Sequence, residues 1–186
     1  MSGGHGHIES SNKKIALLVA VLAALLAISE MGGKSSQTNG LSSHIDASNL
    51  WSFFQAKTIR QTTLRVAADQ MEATYKDGGQ AMPAALKAQT EQWRRTAQRY
   101  ESEPETSEGR KELMARAKAK EAQRDKSLAA YHMFEYASAA FQLAIVLSGA
   151  AALTSVMWLT FIALGLGAVG IGFTSLAFLA PTLVHL

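Results

Sequence analysis

The chain has 186 residues, a formal charge of +3 and no cysteine. Disulfide frameworks, thiolate nucleophiles and Cys-based zinc sites are therefore excluded. Mean hydropathy is near neutral, yet charge is segregated. No charged residue falls between Ile15 and Ile28 or from Tyr136 onward, and apart from Lys13 and Lys14 every Lys and Arg lies between Lys34 and Lys126. Two apolar ends around a charged middle describe a membrane protein with one large aqueous segment.

Residues 1–14 read as a flexible tail, in which His5 and His7 are at most a weak metal-binding pair. The first candidate span is IALLVAVLAALLAISEMGG, residues 15–33. A bilayer core needs about 20 helical residues, which places Glu30 at the interface. The alternative is a secretory signal peptide, with Lys13-Lys14, an apolar core and a poor cleavage site at Ala27-Ile28-Ser29.

KSSQTNG, Lys34 to Gly40, reads as a polar link. The next helix is predicted from Leu41 or Ala47 to Tyr75, with Asp46 or Ser48 as cap and Asp77-Gly78-Gly79 as the stop. A second helix follows Met82-Pro83, from Ala84 to about Tyr100, with Leu86, Trp93 and Tyr100 at spacing seven. SEPETSEG, residues 102–109, is the clearest break. Beyond it no proline or glycine occurs until Gly149, which predicts one helix from about Glu108 into the second span. Such a helix would project roughly 40 Å beyond a bilayer at 1.5 Å per residue.

The second and third spans, 136–154 and 157–181, are joined at Thr154-Ser155 and leave a short tail, 182–186. The third contains GLGAVG, residues 165–170, a literal match to the dinucleotide fingerprint. That fingerprint needs a strand before it and an acid about 20 residues on. Here apolar helix lies on both sides and no acid follows Glu135, so no cofactor is expected. In a bilayer, small residues instead let backbones approach closely. Ala16, Ala20 and Ala24 form such a seam in the first span; Ala140, Ala144, Ser148 and Ala152 form one in the second; the pairs Ala163/Gly167 and Ala168/Gly172 do so in the third. These seams suit packing within the chain or between copies.

The run ALLVAVLAALLAISEMGGK followed by ASNLWSFFQAKTIRQTTLRVAADQ carries a first span, a Gly-Gly-Lys exit, then Trp51, Gln55, Ala56, Lys57 and Arg60 on one helix. It resembles an uncharacterised bacterial membrane-protein family, domain of unknown function 4337. The resemblance extends to the paired C-terminal spans and implies a bacterial inner-membrane location. It brings no activity and no catalytic residues.

Three polar constellations remain. Glu30, His132 and Glu135, with Lys34 nearby, are predicted at one interface. They could snorkel to water, form a carboxylate ring that favours cations in an oligomer, or, at His132 and Glu135, hold a divalent metal. Gln142, inside the second span, could bond across helices or line a pore. Trp93-Arg94-Arg95 and the basic stalk suggest nucleic acid, but interleaved acids at 91, 101, 112, 121 and 125 make a solvated ion-paired face the better account, so no nucleic acid partner is expected. Lys34, Arg124 and Lys126 suit anionic lipid headgroups. No Ser, His and Asp form a recognisable triad, and no enzyme activity is expected.

The fold class expected is therefore an all-α membrane protein, with three transmembrane helices and a protruding helical hairpin or coiled-coil-like stalk, 34–135, between the first and second. Lys13-Lys14 favour a cytoplasmic N-terminus, which puts the stalk in the periplasm, whereas Lys34, Lys120, Arg124 and Lys126 argue the reverse. The expected function is a homo-oligomeric structural or scaffolding assembly in the bacterial inner membrane, partnered by the lipid bilayer and its own copies. The alternative is an oligomeric ion channel with Glu30, Glu135 and Gln142 near its path.

Overall fold

A computed structural model describes the backbone of residues 5–183 and the side chains of 13–183. The metal-tail candidates His5 and His7 thus lie outside the described side chains, and residues 184–186 of the C-terminal tail outside the described chain. Four helices account for nearly all of the rest: α1 His5–Asp77, α2 Ala84–Glu101, α3 Arg110–Thr154 and α4 Met157–Leu179. No strand occurs among the described residues. Three of the helices, α1, α3 and α4, are long and apolar enough to cross a membrane. The continuous helix expected across the second boundary is α3, and the Thr154-Ser155 turn separates α3 from α4, with Ser155 at φ 60°.

The N-terminal third differs from expectation. The tail 1–14 is helical from His5, the link Lys34–Gly40 is helix, and Asp46 and Ser48 lie inside α1 rather than capping it. The reason is packing. Every seventh residue from Ile15 to Met71, and every seventh from Val19 to Tyr75, is buried or half-buried. The same holds in α3 from Leu113 to Ser148 and from Ala117 to Ala152. A repeat averaging 3.5 residues keeps one face of a long helix turned toward a neighbour. In the middle of α1 the occupants of that face are Ser29, Gly33, Ser36, Gly40, Ser43 and Ala47, so the seam carries no hydrophobic signal. Glycine inside a helix costs about 1 kcal/mol relative to alanine. Here it admits a large side chain instead of breaking the helix.

The chain divides into two compact units, each built from parts of α1 and α3. The first, residues up to Leu41 and from Arg124, contains the start of α1, the end of α3 and all of α4. Its core joins Leu22, Ala137, Phe141, Ala144 and Ala163, with Phe173 and Leu166 packed against it. A second cluster gathers Ala130, Met133, Phe134 and Ala177. Glycine makes both possible. A Cβ on Gly170 would lie 2.6 Å from the ring of Phe141, and one on Gly32 would lie 2.6 Å from the ring of Phe134. The Ser29 and Thr174 hydroxyls hydrogen-bond at 2.8 Å between α1 and α4.

The second unit, Ser42–Gln123, packs the end of α1 with α2 and the start of α3. Glycine stops α1: Gly79 has φ +62°, and Gln80 N–H donates to the Tyr75 carbonyl at 3.2 Å. The stripe expected on α2 from Leu86, Trp93 and Tyr100 is half-buried, and Thr90 and Ala97 complete it. The apolar core is lean, resting on Ala47, Ala68, Ala97, Leu113 and Ala117.

These contacts set a test of glycine's role. Overpacking costs about 1–3 kcal/mol, so Gly170→Val, which drives a branched side chain into Phe141, lowers the thermal midpoint of the purified protein. Gly149→Val leaves it unchanged, because nothing lies within 4 Å of a Cβ there. Equal midpoints for the two variants would remove the packing argument.

Candidate functional site

Where the apolar stretches of α1 and α3 give way to charge, a groove of about 500 Å³ opens in the first unit. Glu30, Lys34 and Gln37 line it from α1; Tyr131, Glu135 and Gln142 line it from α3. Gly33 forms part of its wall beside Phe134. The geometry follows from the seam: Glu30 and Lys34 flank Gly33 on one helix, and Glu135 follows Phe134 on the other. The structure thus gathers Glu30, Lys34, Glu135 and Gln142 around one opening.

Glu135 is already engaged. It accepts a hydrogen bond from the Tyr131 hydroxyl at 2.5 Å, and its other oxygen lies 3.3 Å from His132 Nδ1. His132 and Glu135 are both about half exposed. Among the described residues no group of three or more His, Cys, Asp and Glu is placed to hold a metal ion; His132 and Glu135 form a pair only. The groove combines two carboxylates, an ammonium, two amides and a phenol in an open wall.

The small residues divide into two sets. Ala140, Ala144, Ser148, Ala163 and Gly167 are buried within the unit. Gly167 meets Leu22, and Ser148 is fully buried with its hydroxyl unpartnered. Ala168 and Gly172 face outward, as do Ala16, Ala20 and Ala24 on α1. GLGAVG lies within α4, where Gly167 and Gly170 serve close packing while Gly165 is open.

A second polar cluster escaped the sequence reading. In the Ser42–Gln123 unit, Lys57 is 5% exposed and Gln61 2% exposed. Lys57 Nζ reaches Glu103 at 3.5 Å and lies 5.2 Å from the centre of the Tyr100 ring. Gln61 donates to the Ala97 carbonyl and to Glu101, both at 2.9 Å. Arg110 then bonds Gln61, Glu101 and Thr58 and sits 5.0 Å over Phe54. This network ties α1, α2 and α3 together where apolar side chains are few. Nearby, Trp51 donates its indole N–H to Glu121 at 2.9 Å. Lys57 and Gln61 continue the three-and-four spacing of the α1 seam, which is the signal that could have found them.

The network fixes the sign of an acid response. The Gln61 hydrogen bond, with the Arg110 charge beside it, holds the Glu101 carboxyl below its usual range. The Ser102 hydroxyl does the same for Glu112, and the Arg94 guanidinium for Glu72. A carboxylate depressed by folding contributes stability that is complete above its unfolded pKa, about 4.3 for Glu, and is lost as pH falls through the folded value. Stability should therefore decline on acidification from about pH 5 downward. In Glu101→Gln the slope of unfolding free energy against pH becomes shallower. An unchanged slope would show that Glu101 is not linked to folding.

No curated protein and no solved structure matches the chain. A family model does, over residues 11–180, which take in both polar clusters and the described part of every helix but the first turns of α1. The chain belongs to that family, the Domain of unknown function (DUF4337).

Proposed function

We propose that this protein is a multi-pass protein of the bacterial inner membrane that self-associates and serves as a structural or scaffolding unit, with no catalytic chemistry of its own. α1, α3 and α4 supply the spans, and the Ser42–Gln123 unit supplies a coiled-coil-like aqueous surface. The observation that carries the reading is the open face of α4. Gly165, Ala168 and Gly172 recur there at spacings of three and four and are exposed, with nothing within 4 Å of a Cβ on either glycine. Lipid gives helices no hydrophobic reason to associate, so smooth faces that permit close backbone approach are what bring them together. Large side chains on other faces, such as Leu164, Ile171 and Phe178, are exposed for contact with acyl chains.

A second reading draws on the groove. With Glu30, Glu135 and Gln142 along one opening, copies arranged around an axis would present carboxylates to cations.

Two measurements separate the readings. Sedimentation in detergent is expected to give more than one chain per particle, with the stoichiometry falling in Gly172→Leu. A monomer at every concentration would overturn the scaffold reading. In a planar bilayer, a cation conductance that drops in Glu135→Gln supports the channel, and silence of the assembled protein removes it.

A further inference from the structure

We infer that the outward face of α1 between Ser42 and Gln70 is a pairing surface for a second copy of this chain, the two helices lying parallel and in register. Four residues run down its centre at spacing seven: Ile45, Ser52, Ile59 and Val66. They fall opposite the buried seam of the same helix. Ile45 is 51% exposed, Ile59 67% and Val66 47%. The flanking positions 48, 49, 55, 56, 62 and 63 are Ser, Asn, Gln, Ala, Thr and Thr. No charge occurs on this stripe for more than 20 residues of helix. Its C-terminal part opens into a groove of about 490 Å³ running from Thr58 to Gln70.

The rest of the unit is different. The exposed surfaces of α2 and α3 carry Lys87, Glu91, Arg95, Lys111 and Lys118. Of the charges at the edges of the α1 face, Asp46 pairs with Lys120 at 2.9 Å and Asp69 with Arg94 at 2.8 Å, while Arg60 and Arg65 flank the stripe without entering it. A charge-free stripe in a charged domain is the requirement of self-pairing. When a helix meets its own copy in parallel register, each residue at the centre of the contact faces its own copy, so a charge of either sign there would meet its like. A partner of other sequence imposes no such restriction, and a charged one would find nothing here to pair with.

The area agrees with a second copy held close by. At 1.5 Å per residue and a diameter of about 11 Å, the stripe covers roughly 450 Å² per chain, or about 900 Å² for the pair. That is below the roughly 1,200–2,000 Å² of stable free complexes. Copies confined to one bilayer gain effective concentration, and the same confinement makes their α1 helices parallel. In this respect the inference rests on the membrane assembly proposed above.

Because the chain has no cysteine, single cysteines report pairing directly. A disulfide needs Cα atoms within about 7 Å. In purified vesicles holding the full chain, Ser52→Cys is expected to cross-link to its own copy on oxidation, and Lys118→Cys is not. Adding Ile59→Lys to Ser52→Cys abolishes the cross-link, while helix content stays unchanged because position 59 is exposed. Mixing Ile59→Lys chains with Ile59→Glu chains, both carrying Ser52→Cys, restores it, since opposite charges then face each other. If Ser52→Cys stays reduced while sedimentation still finds more than one chain, this surface is wrong and the assembly stands. If sedimentation finds a monomer as well, both fail. A cross-link seen only between Ile45→Cys and Val66→Cys chains would mean antiparallel pairing and overturn the inference.

Discussion

The close approach of α1 to α3 is the constraint from which the remaining architecture follows. At Gly32 and Gly33 the α1 backbone runs directly against Phe134, and Gly40 meets Leu128. A side chain at Gly32 would occupy the space the aromatic ring fills. The residues that would ordinarily end a helix therefore hold this one against its neighbour. Because α1 continues through them, the acids and bases on either side stay in helical phase. Glu30 and Lys34 fall on the same side as Tyr131 and Glu135, and the groove is the result.

The two units solve the packing problem with different materials. The apolar unit uses ring-into-glycine contacts, Phe141 on Gly170 and Phe134 on Gly32. Such contacts depend on shape and dispersion, which operate without water to expel. The Ser42–Gln123 unit has little to bury beyond alanines and Leu113. There, directed bonds from Gln61, Lys57 and Arg110 replace apolar bulk. Buried polar groups specify a register because a shifted one would leave them unpaired. Removing one member leaves its partner's desolvation uncompensated, which makes such a network stringent rather than merely stabilising.

Burial on one side of a helix determines what is left on the other. In α1 the seam claims positions at three-and-four spacing, and the side chains opposite it are uncharged from Ile45 to Val66. In α4, Ala163, Gly167 and Gly170 are used inside the unit, while Gly165, Ala168 and Gly172 remain outside. A single chain thus presents smooth or charge-free faces on both α4 and the Ser42–Gln70 part of α1, the property that the proposed association requires.

Composition alone decided the class of this molecule. Long unbroken apolar runs favour helix, which satisfies every backbone group within its own segment, and three of the helices are long and apolar enough to cross a membrane. The absence of Gly and Pro from Arg110 to Ser148 likewise dictated a single α3, since nothing in that stretch opposes helix. The small residues were visible, but not their direction: alanine and glycine look alike whether they face a neighbour or the outside. Gly-Gly-Lys and the polar Ser-Ser-Gln-Thr-Asn-Gly run after it read locally as a link, because their weak helix propensity is a local property. Only the Phe134 and Leu128 side chains, about a hundred residues away in sequence, decide that those positions are helix and that they are filled. The same holds for Lys57 and Gln61: a polar residue carries no mark of burial until the groups that satisfy it are brought alongside by the fold.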